Sequence, residues 1–292
     1  MTHPTTHQPA PLPPAEDPAD HFDAFHAARA RTDLVARLYE AAMGEDYPHE
    51  VNASSSCDWP LLGLMTTRLR MRPGQTLVDA GCGTGGIGLW LARALNARLD
   101  GIDISPVALA RATRRRSRFV PADRAAFHVA SIDATGLPDR HAHGIICIDA
   151  LSFTQDRGKA VRELGRILAP GGRLTLTRSL RPGAEPAWEE QARAAGLTVE
   201  HIDERPGEPP MWERLYQLWL AHADDLHREL GDQARFMLHE ARRMLPALNG
   251  RRAVLLTLRR PPTPHAEDEE ADRMPEPGRL AEGTVTSERT PQ

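Results

Sequence analysis

Residues 77 to 90 read LVDAGCGTGGIGLW and place Gly81, Gly83, Gly85, Gly86 and Gly88 just after a carboxylate, Asp79. Glycines this dense, between an apolar run and a helix-like run, let a backbone approach a ligand more closely than a side chain would permit. Further carboxylates fall at comparable points. Asp103 closes the run RLDGID, Asp133 lies in VASIDATGLPD, and Asp149 follows IICI. Read literally, Gly81-x-Gly83-x-x-Gly86, with Asp103 17 residues past the third glycine, fits a dinucleotide site whose acid takes a ribose hydroxyl pair. Asp79 weighs against that ligand, because a carboxylate at a strand tip repels a pyrophosphate and attracts an ammonium or a sulfonium. Asp133 is placed to accept from the exocyclic amine of an adenine. A cationic amino-acid end, a ribose diol and an adenine amine together describe S-adenosylmethionine, with NAD as the competing ligand.

These acids act together only if a scaffold brings successive strand ends to one edge. Short apolar runs predict strands at 76–80, 98–103, 126–132, 144–151, 173–180, 197–203 and 252–260. Helical patterns fall between them at 86–96, 106–117, 157–169 and 186–195, with two helices within 211–248. The alternation specifies an α/β fold, a doubly wound, mostly parallel sheet with helices on both faces. Punctuation agrees. Ser105-Pro106 supplies an N-cap and a first-turn proline, and Pro170-Gly171-Gly172 ends a helix before a strand. Residues 1–20 and 261–292 are rich in Pro, Glu, Asp and Thr with few large apolar side chains, so disordered tails are expected there. That leaves a helical N-terminal cap over 21–72 and a core over 73–260 that carries the helical insertion 211–248 as a lid.

Over about residues 74–180 the chain resembles the class I S-adenosylmethionine-dependent methyltransferases, in particular their small-molecule, natural-product branch. VDAGCGTG is similar to that family's first motif, GIDIS to its ribose-binding strand end, SIDATGLPD to its adenine-contacting stretch and RELGRILAPGGRLTLTR to the helix and strand that follow its fourth strand. The resemblance implies a Rossmann-like, seven-stranded methyltransferase sheet with S-adenosyl-L-methionine as cofactor. It implies that Asp79 organises the loop and the methionyl ammonium, and that Gly81, Gly83 and Gly85 admit the methionyl and ribose portions. By the same resemblance Asp103 accepts both ribose hydroxyls from a solvent-open strand end, where its removal is expected to leave folding unchanged. Ile104 and Ile132 would sandwich the adenine, Asp133 would take its amine, and Asp149 would face the methionyl and methyl region.

The acceptor is less legible. Many small-molecule members carry D-A-L-x-H-x-x-D after the fourth strand; this chain reads DALSFTQD, with Phe153 at the histidine position. Base candidates are then Asp149, His49 and His222, with His26 beside them, whereas His141 and His143 precede the fourth strand and fall at the opposite end of the sheet. The N-terminal cap is expected to bring Tyr39 or Tyr47 to the methionyl end, and the insertion puts Trp212, Leu215 and Trp219 on one helical stripe.

A net charge of -4 gives no global pull toward nucleic acid or anionic membrane, and the cluster RATRRRSR at 111–118 reads as a solvated helix face. Neither a [DN]-P-P-[YFW] signature nor a Pro-Cys dipeptide follows the fourth strand, which argues against methylation of nucleic-acid bases. Three scattered cysteines, Cys57, Cys82 and Cys147, suggest a reducing cytoplasm and no metal site. The expectation is a cytoplasmic methyltransferase for a small molecule, with O-methylation ahead of N- or C-methylation. The alternative is a protein that binds S-adenosylmethionine without transferring methyl.

Overall fold

The computed structural model describes residues 18–262. In chain order the helices are α1 (Pro18–Arg29), α2 (Leu34–Met43), α3 (Trp59–Leu69), α4 (Gly86–Ala94), α5 (Pro106–Arg115), α6 (Arg157–Ile167), α7 (Trp188–Ala194), α8 (Glu208–Ala221), α9 (Ala223–Leu230) and α10 (Gln233–Met244). The strands are β1 (Thr76–Ala80), β2 (Arg98–Asp103), β3 (Ala125–Val129), β4 (Ala142–Cys147), β5 (Leu168–Leu180), β6 (Thr198–Glu204) and β7 (Arg252–Arg259). The sheet runs β3-β2-β1-β4-β5-β7-β6. β1 to β5 are parallel, while β7 enters antiparallel between β5 and β6. Strand order reverses between β1 and β4, and open sheets of this kind bind ligands outside the carboxyl ends of the strands at such a switch point.

Successive residues of one strand feed different faces of the sheet. Val78, Ile145, Leu174 and Leu256 join a core with residues of α6 and α7, whereas Leu77, Ile146 and Leu255 join another with α3 and α4. Side-chain caps start the helices that frame the site. Ser105 Oγ accepts from Ala108 N at 3.0 Å, Asp58 Oδ1 from Leu61 N at 2.7 Å and Asp156 Oδ1 from Lys159 N at 2.9 Å.

Several edges depart from the sequence reading. β4 stops at Cys147 rather than running to 151, because Asp149 turns into the left-handed region (φ 56°) and a short 3-10 turn takes over at Leu151–Phe153. β3 stops at Val129, which leaves Ile132 free to fold back beside Gly81. α6 ends at Ile167, and Leu168 already pairs with Ala142, so Pro170-Gly171-Gly172 forms an irregularity inside β5 rather than a helix stop. The insertion holds three helices instead of two, because the backbone of Gly231 (φ 60°) separates α9 from α10.

The N-terminal segment divides between two cores. α3 packs beneath the sheet, whereas α1 and α2 share a core with α8, α9 and α10 that includes Leu38, Tyr39, Leu215, Trp219 and Met237. α1 begins at Pro18, inside the stretch expected to be a tail; residues 1–17 and 263–292 of the expected tails lie outside the described residues. Among the described residues no helix is long and apolar enough to cross a membrane.

Candidate functional site

The turn after β1 is tied to the neighbouring strand. Gly81 N and Cys82 N both donate to Ile102 O, at 2.8 and 2.9 Å, and Gly85 N donates to Cys82 O at 2.8 Å. Gly81 and Gly83 are left-handed, with φ of 80° and 52°, a conformation that side chains resist. The space around the glycines adds a second reason for some of them, the protein's own packing. A Cβ on Gly81 would lie 2.3 Å from Ala150 Cβ, one on Gly86 2.0 Å from Val51 O, and one on Gly88 2.6 Å from Asp79 Oδ2. The protein's own packing therefore requires those three. Around Gly83 the nearest such atom is His26 Cε1, at 3.7 Å, an ordinary contact distance, so packing alone does not exclude a side chain there.

Asp79 is not at the tip. It is 3% exposed, lies under the first turn of α4 and accepts from Gly88 N at 3.0 Å. Burial pushes its pKa up to about 7, against the pull of that N–H. A carboxylate so placed organises the turn from below, and the repulsion of a pyrophosphate inferred from an exposed Asp79 loses its basis. Asp103 is half-buried and tied into the turn through both oxygens: Gly83 N donates to Oδ2 at 2.8 Å and Ser105 N to Oδ1 at 2.9 Å, which leaves one lone-pair position on each. Burial raises its pKa, and the two backbone N–H groups oppose that rise. The expectation that folding ignores this carboxylate is overturned by those bonds.

Ile104 is half-buried beyond Asp103, and Ile132 is buried with its Cδ1 3.3 Å from the position of a Cβ on Gly81. Asp133 accepts from Ser131 Oγ at 2.6 Å and from Lys159 Nζ at 3.0 Å. The hydroxyl and then the ammonium hold its carboxyl below the usual range. Gly81, Asp103, Ile104, Ile132 and Asp133 thus gather at the carboxyl edge of β1 to β3.

Asp149 follows β4 at the same edge but is gripped by the protein. Ser56 N donates to its Oδ2 at 2.6 Å, while Ser56 Oγ and Thr177 Oγ1 donate to its Oδ1 at 3.2 and 2.8 Å. Three of about four lone-pair positions are occupied. Ser56 is held in turn by Arg205, which is 6% exposed, donates to Ser56 O at 2.7 Å and pairs with Asp58 and Glu208. Burial first, and the charge of Asp149 second, push Glu208 up to about 7. Sequence reasoning missed Ser56, Thr177, Arg205 and Glu208. Ser56 stands 93 positions from Asp149 and 149 from Arg205, and no local pattern links them.

The base candidates separate. His49 is exposed and pairs with Glu40 at 3.6 Å, and His222 is half-exposed between α8 and α9, 3.2 Å from Asp225. Neither reaches the glycine turn by any contact of these side chains. His26 does, from α1. His141 precedes β4 and pairs with Asp100, whereas His143 lies inside β4, near its amino end, and its Nδ1 accepts from Thr76 N at the amino end of β1. Phe153 is 64% exposed and meets Phe22 edge-on at 5.4 Å.

The aromatic residues expected near the cofactor pack elsewhere. Tyr39 is buried against Trp212 and Trp219, with ring centroids 6.2 and 6.3 Å away, and Tyr47 donates to Asn52 Oδ1 at 3.0 Å. Nor is the basic cluster a simple solvated face. Arg111 donates to His26 O, Arg115 to Thr84 O and Val51 O, and Arg116 to Ala125 O, so these guanidiniums fasten α5 to α1, the glycine turn and β3.

Comparison with known proteins agrees with this geometry. A family model described as a methyltransferase domain matches residues 77–172. The chain is 28% identical over 190 residues to 27-O-demethylrifamycin SV methyltransferase of Amycolatopsis mediterranei, which covers 63% of this chain and 68% of that protein. It is 36% identical over 150 residues to methyltransferase GfsG of Streptomyces halstedii, covering 48% and 52%. The chain thus spans about two thirds of the first of these relatives and about half of the second. Among solved structures, the [4+2]-cyclase SpnF superposes with a TM-score of 0.64 at 22% identity, over 81% of this chain and 96% of that one. A geranyl diphosphate C-methyltransferase from Streptomyces coelicolor, solved with S-adenosyl-L-homocysteine, gives 0.56 at 19% identity over 85% and 100%.

Proposed function

We infer from the methyltransferase-domain match over residues 77–172 and the similarity to named methyltransferases that this chain is a class I S-adenosylmethionine-dependent methyltransferase and that it methylates a small-molecule acceptor of secondary-metabolite type, at oxygen ahead of nitrogen or carbon. The observation that carries the reading is the glycine turn stitched to Asp103 through Gly83 N, with His26 at contact distance over Gly83. A cofactor with a ribose at Asp103 and an extended tail along Gly81–Gly83 fits such a turn. In this reading Ile104 and Ile132 flank its adenine. Asp133 sits where it can take the adenine amine, once Lys159 shifts from its half-exposed carboxylate. Asp79 holds the turn from beneath by fixing α4.

When bound, S-adenosylmethionine supplies an electrophilic methyl group, and its transfer is an in-line displacement that needs chiefly alignment. A hydroxyl acceptor must also lose a proton. Of Asp149, His49 and His222, only Asp149 stands at the sheet's carboxyl edge, and one lone-pair position of its Oδ2 is left for that task. Ser56 and Thr177 fix its orientation. Oxygen is favoured because the rifamycin-related protein and two fungal relatives are named as O-methyltransferases or by an O-demethylated substrate.

The test incubates the purified chain with methyl-labelled S-adenosylmethionine and a panel of hydroxylated aromatic and polyketide compounds. Label recovered in an ether-linked product supports the reading. Tight binding of S-adenosylhomocysteine with no label moved to hydroxyl, amine or carbon acceptors would favour the non-transferring alternative. The specific observation behind that second reading is Phe153, exposed where the resembling enzymes carry a histidine.

A further inference from the structure

Helix α1 crosses the glycine turn with three polar residues at intervals of three along its chain, Asp23, His26 and Arg29, a spacing that sets them on one face. Asp23 Oδ1 accepts from Ser105 Oγ and, at 3.2 Å, from Val107 N, which fastens the helix beside the strand end that bears Asp103. One turn on, His26 Cε1 stands 3.7 Å from where a Cβ on Gly83 would lie. Arg111, on α5, donates to His26 O at 3.0 Å and fixes the same turn of α1 from its other side.

Two donors on this face have no protein acceptor. His26 is 9% exposed and its Nδ1 is buried without a hydrogen-bond partner, and Arg29 Nε is buried without one as well. Buried polar atoms are rarely left unpaired, and a pair of them one helical turn apart, with His26 against the glycine turn, points to an acceptor that comes with a ligand. The surroundings are cationic: Arg29 and Arg111 add to burial in holding the imidazole neutral. A neutral imidazole can still donate from Nδ1, and a guanidinium always donates.

We propose that His26 and Arg29 bind the carboxylate at the amino-acid end of S-adenosylmethionine. The proposal rests on the methyltransferase reading, which puts the ribose at Asp103 and leaves the other end of the ligand over Gly81 and Gly83. That end carries an ammonium and a carboxylate, and only the carboxylate accepts hydrogen bonds. His26 is then a positioning residue for the cofactor and not the base for the acceptor.

Calorimetry on the full chain with two probes tests this: S-adenosylhomocysteine, and 5′-methylthioadenosine, which keeps the adenosine and thioether but lacks the amino-acid end. The parent should bind S-adenosylhomocysteine the more tightly. H26A should lower that affinity at least tenfold and leave the affinity for 5′-methylthioadenosine within about twofold. H26N, whose amide nitrogen can stand near Nδ1, should recover part of the loss. If H26A gives no folded melting transition, R29M, at the half-buried residue, carries the same comparison with an expected loss of at least fivefold. Equal losses on both probes would overturn the proposal and make α1 a simple cover. Unchanged S-adenosylhomocysteine affinity with slowed turnover would overturn it in favour of a base. Failure of the parent to bind either probe would bring down the methyltransferase reading itself, and this inference with it.

Discussion

Replacing Asp103 by alanine separates a ligand carboxylate from a structural one. In the structure its two oxygens take Gly83 N at 2.8 Å and Ser105 N at 2.9 Å, so Asp103→Ala strands two backbone donors. Hydrogen bonds to a charged group contribute roughly 1.5 to 3 kcal/mol each. The half-buried site lets water re-solvate the freed N–H groups, and the variant also escapes the burial that raises the carboxyl's pKa, so the net loss should be about 1 to 3 kcal/mol. In a domain of this size that lowers the melting temperature by roughly 2 to 10 °C. The loss for the cofactor is separate. Two ribose hydroxyls would lose a charged acceptor, and even one such bond corresponds to at least tenfold in affinity. Asp103→Asn should fall between parent and alanine in affinity, because one oxygen remains while the charge is gone. Thermal melts without ligand and calorimetry with S-adenosylhomocysteine read the two effects independently. A lowered melting temperature with parental affinity would make Asp103 purely structural; parental behaviour in both would refute the bonds themselves.

Asp79→Asn keeps an acceptor for Gly88 N but removes a buried carboxylate whose folded pKa is about 7 against about 3.8 in the open chain. The folded state binds the extra proton, so this group's contribution is favourable below pH about 4 and lost as pH rises through 7. The variant should therefore gain on the parent in ligand-free melts at pH 8, keep only a minor part of that advantage at pH 5 and lose it by about pH 4. Equal pH profiles would contradict the burial. Arg205→Met leaves Glu208 buried without its partner and frees Ser56, and should cost about 3 to 5 kcal/mol, with Arg205→Met/Glu208→Leu recovering a good part of it in urea denaturation. No recovery in the double variant would mean that the carboxylate's isolation is not the cause. Gly83→Ala should fold with only the strain of its left-handed backbone, roughly 1 kcal/mol, whereas Gly81→Ala drives a methyl to 2.3 Å from Ala150 Cβ and should fail to give a cooperative melt. Similar melting curves for the two would refute the division between open and filled glycines.

What the sequence determined by itself is local. Ser105-Pro106 and Asp58 cap their helices because a side-chain oxygen three residues before a free N–H reaches it whatever the rest of the chain does. The glycine turn was legible because left-handed backbone selects glycine, and the order of strands and helices because burial on two faces imposes apolar runs with short breaks. Tertiary structure alone decided what depends on partners distant in the chain. β7 enters antiparallel between β5 and β6, and an apolar run reads alike in either direction. Asp79 is sunk under α4, since the packing of α4 against β1, and not the sequence around Asp79, sets its depth. Asp149 is clasped by a serine 93 residues away, and His26 is laid over Gly83 by a helix whose own sequence names no target. Such contacts arise only when separate hydrophobic stripes find one another, and the polar groups between them take whichever partners that packing leaves within about 3 Å.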